Sequence, residues 1–154
     1  MKNLLLATVL ILSGISYGQW DTYEYKDDFG DPTGNTFDAF QVVGLFSNSA
    51  TTNGDCGFVF KHDVGESYTV IISPYNRTTT ERFIKGTFQT VKIKTPTGIE
   101  KIETFVSKGG DIFFSDENYK DLHSIISIPG EYVFLLNYEN DYSTSKYMFT
   151  FTIF

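Results

Sequence analysis

T-F-Q-T-V-K-I-K-T-P-T-G-I-E-K-I-E-T-F-V, residues 87–106, decides the class of fold. Thr87 to Lys94 and Ile99 to Val106 read as two strands. Thr95-Pro96-Thr97-Gly98 between them places proline and glycine where a tight turn prefers them, because proline presets φ and glycine relaxes it. This is the clearest hairpin in the chain.

Working outward, the same grammar repeats. Trp20 to Tyr25 has a strand composition with imperfect alternation, which suits an edge. Thr36 to Phe46 reads as a longer strand, with Phe40 and Val42 on one face and Val43 and Leu45 on the other, as if covered on both sides. Phe58-Val59-Phe60 and Ser67 to Ser73 flank His62-Asp63-Val64-Gly65-Glu66, a hairpin-length connection. Ile112 to Ser115, Glu131 to Tyr138 and Lys146 to Phe154 complete the set. The last of these alternates cleanly: Tyr147, Phe149, Phe151 and Ile153 share one face, and Met148, Thr150 and Thr152 the other.

One helix interrupts the strands. Tyr119, Leu122, His123 and Ile126 fall at i, i+3, i+4 and i+7, with Ser115 or Asp116 as N-cap and Pro129-Gly130 as a stop. About nine short strands with turn signals every 8 to 12 residues and at most one short helix give an all-β fold. The expectation is an antiparallel β-sandwich or a closed β-barrel. An aromatic content of 17% fills the core of so small a chain, since each buried ring removes about 150–250 Å² from water.

The N-terminus carries an address. Lys2 precedes an apolar run from Leu4 to Leu12, and Ser16 and Gly18 supply the small residues of a cleavage site. Such a run is shorter than the ~20 residues that span a bilayer. Residues 1–18 are therefore expected to be a cleaved signal peptide, and 19–154 a single β domain, periplasmic or extracellular, with no transmembrane helix in the mature chain. Gly18-Gln19-Trp20 has the G-x-W form of lipocalins, but cleavage removes its glycine, so it is set aside.

The formal net charge is −7, and the basic residues are scattered. Nucleic acid, whose phosphates need a basic stripe, is excluded as a partner. Cys56 is the sole cysteine, so no internal disulfide forms, and a small buried residue is its expected role.

Two segments are candidate sites. Asp27 to Asp38, D-D-F-G-D-P-T-G-N-T-F-D, offers Asp27, Asp28, Asp31, Asn35 and Asp38 as oxygen ligands for calcium. The competing account is turn chemistry centred on Pro32-Thr33-Gly34-Asn35, since Asp and Asn side chains mimic backbone acceptors. Ser47 to Gly57 is a polar loop with an Asn53-Gly54-Asp55 turn, whose Asn48, Thr51, Thr52, Asn53 and Asp55 form a candidate binding loop. Tyr75 and Tyr142 add contact surface for a carbohydrate or protein ligand. His62, Asp63, Glu66 and His123 lack the spacing of a zinc site, and no G-x-S-x-G elbow is present. No enzyme is expected, and no cofactor beyond calcium.

The segments D-D-F-G-D-P-T-G-N (27–35) and G-L-F-S-N-S-A-T-T-N (44–53), with S-K-G-G-D-I-F-F (107–114) and Y-M-F-T-F-T-I-F (147–154), resemble a pattern in small uncharacterised exported proteins of Bacteroidetes-type bacteria. The resemblance implies export and a β fold, and carries over no functional residue. The leading expectation is thus an exported, non-enzymatic β-sandwich module with a binding or envelope-associated role. An eight-stranded outer-membrane barrel is the alternative, favoured by export, size and the terminal Phe154. Short strands and segments apolar on both faces count against it. A calcium-dependent carbohydrate- or protein-binding module is the second alternative.

Overall fold

A computed structural model of the chain describes residues 20–74, 88–106, 111–140 and 143–154. The expected signal peptide and the tyrosines at 75 and 142 lie outside these residues. In chain order the elements are β1 (Asp21–Lys26), β2 (Pro32–Ser47), β3 (Gly54–Asp63), β4 (Ser67–Pro74), β5 (Phe88–Lys94) and β6 (Ile99–Val106). There follow β7 (Ile112–Ser115), α1 (Asp116–Ile126), β8 (Gly130–Asn140) and β9 (Ser143–Ile153).

The strands form one antiparallel sheet in the order β1-β2-β3-β4-β7-β6-β5-β8-β9, and β2 also pairs with β9. That last pairing closes eight strands into a barrel and leaves β1 outside the ring. Of the two architectures expected, the barrel is the one formed. Its order is not the up-and-down order of a lipocalin barrel, because β5, β6 and β7 enter the ring in reverse. β1 pairs only with β2, so Trp20 to Tyr25 does lead into an edge strand.

Closure is short: Leu45, Phe46 and Ser47 pair with Met148, Tyr147 and Lys146. Beyond Met148, β9 leaves β2, and β1 takes up the same side of β2 from Ala39 to Pro32. Gly44 sits at the seam. A Cβ there would lie 2.3 Å from the Met148 carbonyl oxygen and 2.7 Å from the Phe58 ring, so only glycine lets β9 come this close.

The inner wall is set by the period of two. From β9, Tyr147, Phe149 and Phe151 point inward; from β3, Phe58 and Phe60; from β8, Tyr132, Phe134 and Leu136. All are at most 5% exposed. Val43 is 48% exposed, which corrects the expectation that β2 is covered on both faces there. It faces out, because a closed barrel has one interior and its other face meets water. An eight-stranded barrel is just wide enough for side chains to fill. Here a cavity lined by aliphatic and aromatic side chains, Phe58, Val70, Ile72 and Phe149 among them, is about 10 Å³. That is room for one water at most, and an apolar lining keeps it dry.

The turns are partly as expected. Thr95 N–H donates to the Gly98 carbonyl at 2.8 Å, and the Gly98 N–H donates to Thr95 Oγ1 at 3.0 Å. Gly65 takes a φ of +80° in the β3–β4 turn. The β1–β2 turn, however, falls at Asp27–Asp31, not at Pro32–Asn35. Asp27 Oδ1 accepts the N–H groups of Phe29 and Asp31, each at 2.9 Å, and this carboxylate does for the turn what the proline was expected to do. Pro32 instead opens β2 at an edge, where a missing N–H costs little. The register slips between Glu24 and Lys26, and Gly34 absorbs the slip at φ +80°.

The two ends of the barrel differ. The Asp63–Ser67 and Lys94–Ile99 connections, Ser115 and Gly130 lie at one end by register, and α1 lies across it. Leu122 and Ile126, 0% and 6% exposed, join the core from the helix. The β2–β3 loop and the Asn140–Ser143 connection lie at the other end.

Candidate functional site

The helical spacing of Tyr119, Leu122, His123 and Ile126 has a consequence at the covered end. Leu122 and Ile126 enter the core, and Tyr119 and His123 are left on the flank that meets β3 and β4. His62 on β3 pairs with Tyr68 on β4, and their rings stack at 4.3 Å. Tyr119 stacks on Tyr68 at 5.2 Å, and His123 lies 5.8 Å from His62. Trp20, just before β1, packs on Phe40 at 4.7 Å and on His62 at 5.8 Å. Six aromatic or imidazole rings from five segments thus converge at one mouth.

Hydrogen bonds fix their order. Tyr68 Oη lies 2.7 Å from His123 Nδ1. Tyr119 Oη lies 3.2 Å from His62 Nε2 and accepts the Gly65 N–H at 3.0 Å. The Tyr132 hydroxyl donates to the carbonyls of Ile125, at 2.8 Å, and Ile128, which anchors the C-terminal end of α1. Burial, and then the neighbouring His123, hold the His62 pKa below its ordinary value. Burial, with Tyr119 beside it, pushes the Tyr68 hydroxyl upward.

A second polar cluster lies on the outer wall. Lys61 Nζ sits 4.5 Å from the Tyr25 ring centre and 4.7 Å from that of Phe37. It pairs with Asp63 at 2.9 Å and with the Tyr25 hydroxyl. Tyr25 also donates to Asp63, so this group clamps the edge strand β1 to β3 across β2. Burial alone would raise the Asp63 pKa, but the hydrogen bonds from Tyr25 and Lys61 outweigh it and hold the carboxyl low.

These directions set a pH profile. A histidine whose folded pKa is lowered binds its proton more readily when unfolded, so its contribution is complete above about 6.5 and is lost as pH falls below that. The lowered Asp63 contributes above about 3.8 and is lost as pH falls through its folded value. The urea midpoint is therefore expected to descend in two steps, one below about pH 6.5 and one below about pH 4. The first step should vanish in His62→Gln while the second persists.

The residues singled out from sequence are not all brought together. Asp27 serves its own turn. Asp38 accepts from Thr22 at 2.7 Å and pairs in register with His62, far along β2 from Asn35. Among the described residues no group of three or more His, Cys, Asp or Glu side chains converges as metal ligands do. With Asp27 engaged by two amides, the melting midpoint is expected to stay unchanged in millimolar calcium; a rise would make the turn a calcium site. His62 and His123 do meet, but their hydrogen-bonded nitrogens face tyrosines, and Asp63 turns to Lys61.

The candidate binding loop contracts. β3 begins at Gly54, so Gly54 and Asp55 pair with Phe46 and Leu45, and the positive φ of +52° falls on Asn53. Asn48 Oδ1 accepts the N–H groups of Ala50 and Thr51, each at 2.9 Å. Asn53 donates its N–H to Ser47 Oγ at 3.0 Å. Thr52, Asn53 and Asp55 are exposed, while Thr51 is half-buried. Cys56 is fully buried as a thiol. Sequence reasoning missed Tyr68 and Trp20 as members of the mouth, because only the register of β3 against β4 sets Tyr68 beside His62.

Comparison with known proteins returned no match: no family model, no curated protein and no solved structure is similar to this chain.

Proposed function

We propose that this chain is an exported, non-enzymatic β-barrel module that works in water and recognises a carbohydrate or protein partner through its outer surface and loops. The observation that carries this reading is the distribution of side chains across the wall. Rings pack the interior, and the cavity among the described residues is about 10 Å³, room for a water and not for a sugar or peptide side chain. The outer wall carries Lys92 and Lys94 on β5, Lys101 and Glu103 on β6, and Glu131 and Glu139 on β8, all exposed.

A membrane barrel has the opposite pattern, with a polar lumen and an apolar belt. A lysine on a lipid-facing midplane costs about 2–4 kcal/mol. Among the described residues β5 has 7 and β7 has 4, against the ~9–11 of a spanning strand. The closed ring of eight strands remains what an outer-membrane reading would use, so both readings meet in one experiment. Export itself rests on the leader at residues 1–18 and on the resemblance to exported Bacteroidetes-type proteins.

Expressed with its leader in a Gram-negative host, the chain is expected in periplasm or medium without detergent, beginning at Gln19. Recovery only from detergent-extracted outer membrane, with heat-modifiable gel migration, would replace this reading with the membrane barrel.

A further inference from the structure

We propose that the outer edge of β1 takes an extended, basic segment of a partner protein, which adds to the sheet as one more strand. This gives the partner of the exported module its chemistry, and it rests on that reading.

Backbone geometry leaves the edge open. Among the described residues β1 pairs with β2 alone. The Tyr25 carbonyl faces β2, where it accepts the Thr33 hydroxyl at 3.0 Å, and the Asp27 N–H donates to the Asp31 carbonyl at 2.9 Å. Backbone groups alternate in direction along an antiparallel strand, so the N–H and C=O of Thr22, Glu24 and Lys26 point away from β2. All three residues are exposed. Such a row is a template for a further strand, and sheet edges are ordinarily blunted by proline, bulges or lysine. Here Pro32 and Gly34 lie on β2, and only Lys26 guards β1.

The edge is also held in place. Lys61 and Asp63 on β3 both bind the Tyr25 hydroxyl, which ties β1 across β2 to the barrel wall. A two-stranded ribbon by itself is marginal in water. The clamp therefore orders the edge in advance and leaves less for a partner to supply.

Charge chooses the occupant. Residues 21–38 carry six carboxylates and one cation, Lys26. A second copy would set two such acidic ribbons side by side, where like charges oppose pairing; a basic strand meets the opposite condition. Side chains alternate along the edge. Tyr23, stacked on Phe37 at 5.5 Å and 42% exposed, lies on the outer face, and Thr22 and Glu24 lie on the other. The fitting segment thus alternates apolar residues, beside Tyr23, with lysine or arginine, beside Glu24.

The probe is a capped heptapeptide alternating valine and lysine, mixed with the full chain at low salt. Amide exchange is expected to slow about tenfold or more at Thr22, Glu24 and Lys26 and to stay unchanged at Tyr23, whose N–H faces β2. Glutamate in place of the lysines should weaken binding about tenfold or more, and N-methylating the peptide backbone should abolish it. Thr22→Pro removes one outward donor where an edge strand tolerates proline, and should weaken binding. Glu24→Lys keeps the backbone intact and should shift preference toward the glutamate peptide, even if the first variant folds poorly. No binding, equal binding of the lysine and glutamate peptides, or binding that survives N-methylation overturns the proposal. So does protection of the same three amides in the free chain: with self-association in sedimentation the edge belongs to a second copy, and in a monomer to another part of the chain. Either failure leaves export standing, since fractionation tests that separately.

Discussion

Gly44→Ala is expected to lower the stability of the chain by about 3 kcal/mol, the upper end of what overpacking costs, read as a fall in the urea midpoint. The new Cβ would stand 2.3 Å from a backbone oxygen, that of Met148, and 2.8 Å from Phe149 Cβ. Neither atom is the end of a flexible side chain. The strand must move, and the strand in question is the one that closes the ring through only Leu45, Phe46 and Ser47. Gly→Ala at an unhindered site instead stabilises by about 0.4–1 kcal/mol, by restricting the unfolded chain. Gly98 is such a site, with nothing within 4 Å of its would-be Cβ, so Gly98→Ala is the control. A Gly44→Ala midpoint equal to that of Gly98→Ala would mean that β2 and β9 are not in contact as described.

Phe60→Ala is expected to cost about 3–5 kcal/mol, as large-to-small changes at buried rings do. Phe60 is 1% exposed and touches rings from five other segments, Phe151 of β9 at 5.9 Å among them. Trp20 lies at 5.7 Å, Phe40 at 5.2 Å, Tyr68 at 5.3 Å and Phe134 at 5.5 Å. For a domain stable by about 5–15 kcal/mol, that loss is a large share of the whole. Phe29, 92% exposed at the tip of the acidic turn, provides the contrast: Phe29→Ala should leave the melt unchanged. Urea melts followed by Trp20 emission measure both, because Trp20 packs directly on Phe60. Equal midpoints for the two variants would contradict the packing of the barrel interior.

The elements themselves were legible. Period-two patterning in β9 assigned Tyr147, Phe149 and Phe151 to one face, and that face is the core. The helical spacing of Tyr119 to Ile126 falls within α1, whose N-cap is Ser115, one of the two residues expected. The Thr95–Gly98 turn formed where proline and glycine stand, closed by the Thr95 N–H to Gly98 carbonyl bond and reinforced by the Thr95 hydroxyl. Turn location was less secure. Asp27 to Asn35 holds several turn formers in a row, and the choice among them was made by Asp27, whose carboxylate collects two amides, and by Gly34, which absorbs a slip in register.

The site was mostly illegible. Acidic residues close in sequence suggested a calcium loop, yet Asp38 lies well along β2 beside His62, because an extended strand carries its residues about 3.3 Å apart each. Conversely, His62, Tyr68, Tyr119, His123 and Trp20 are spread over the chain and meet only after the barrel closes.

The hairpin at 87–106 marks the boundary between the two kinds of information. Local chemistry alone made it two strands and a turn, since turn preferences and side-chain alternation act over a few residues. By itself the sequence also determined the all-β class, the helix at Tyr119 to Ile126 and the faces that seek the core. Whether those strands made a sandwich or a barrel depended on β5 finding β8, on the reversed entry of β5 to β7, and on β2 meeting β9 at Gly44. These are long-range pairings whose partners lie tens of residues apart. No local periodicity encodes them, because pairing register is chosen by the packing of the whole interior.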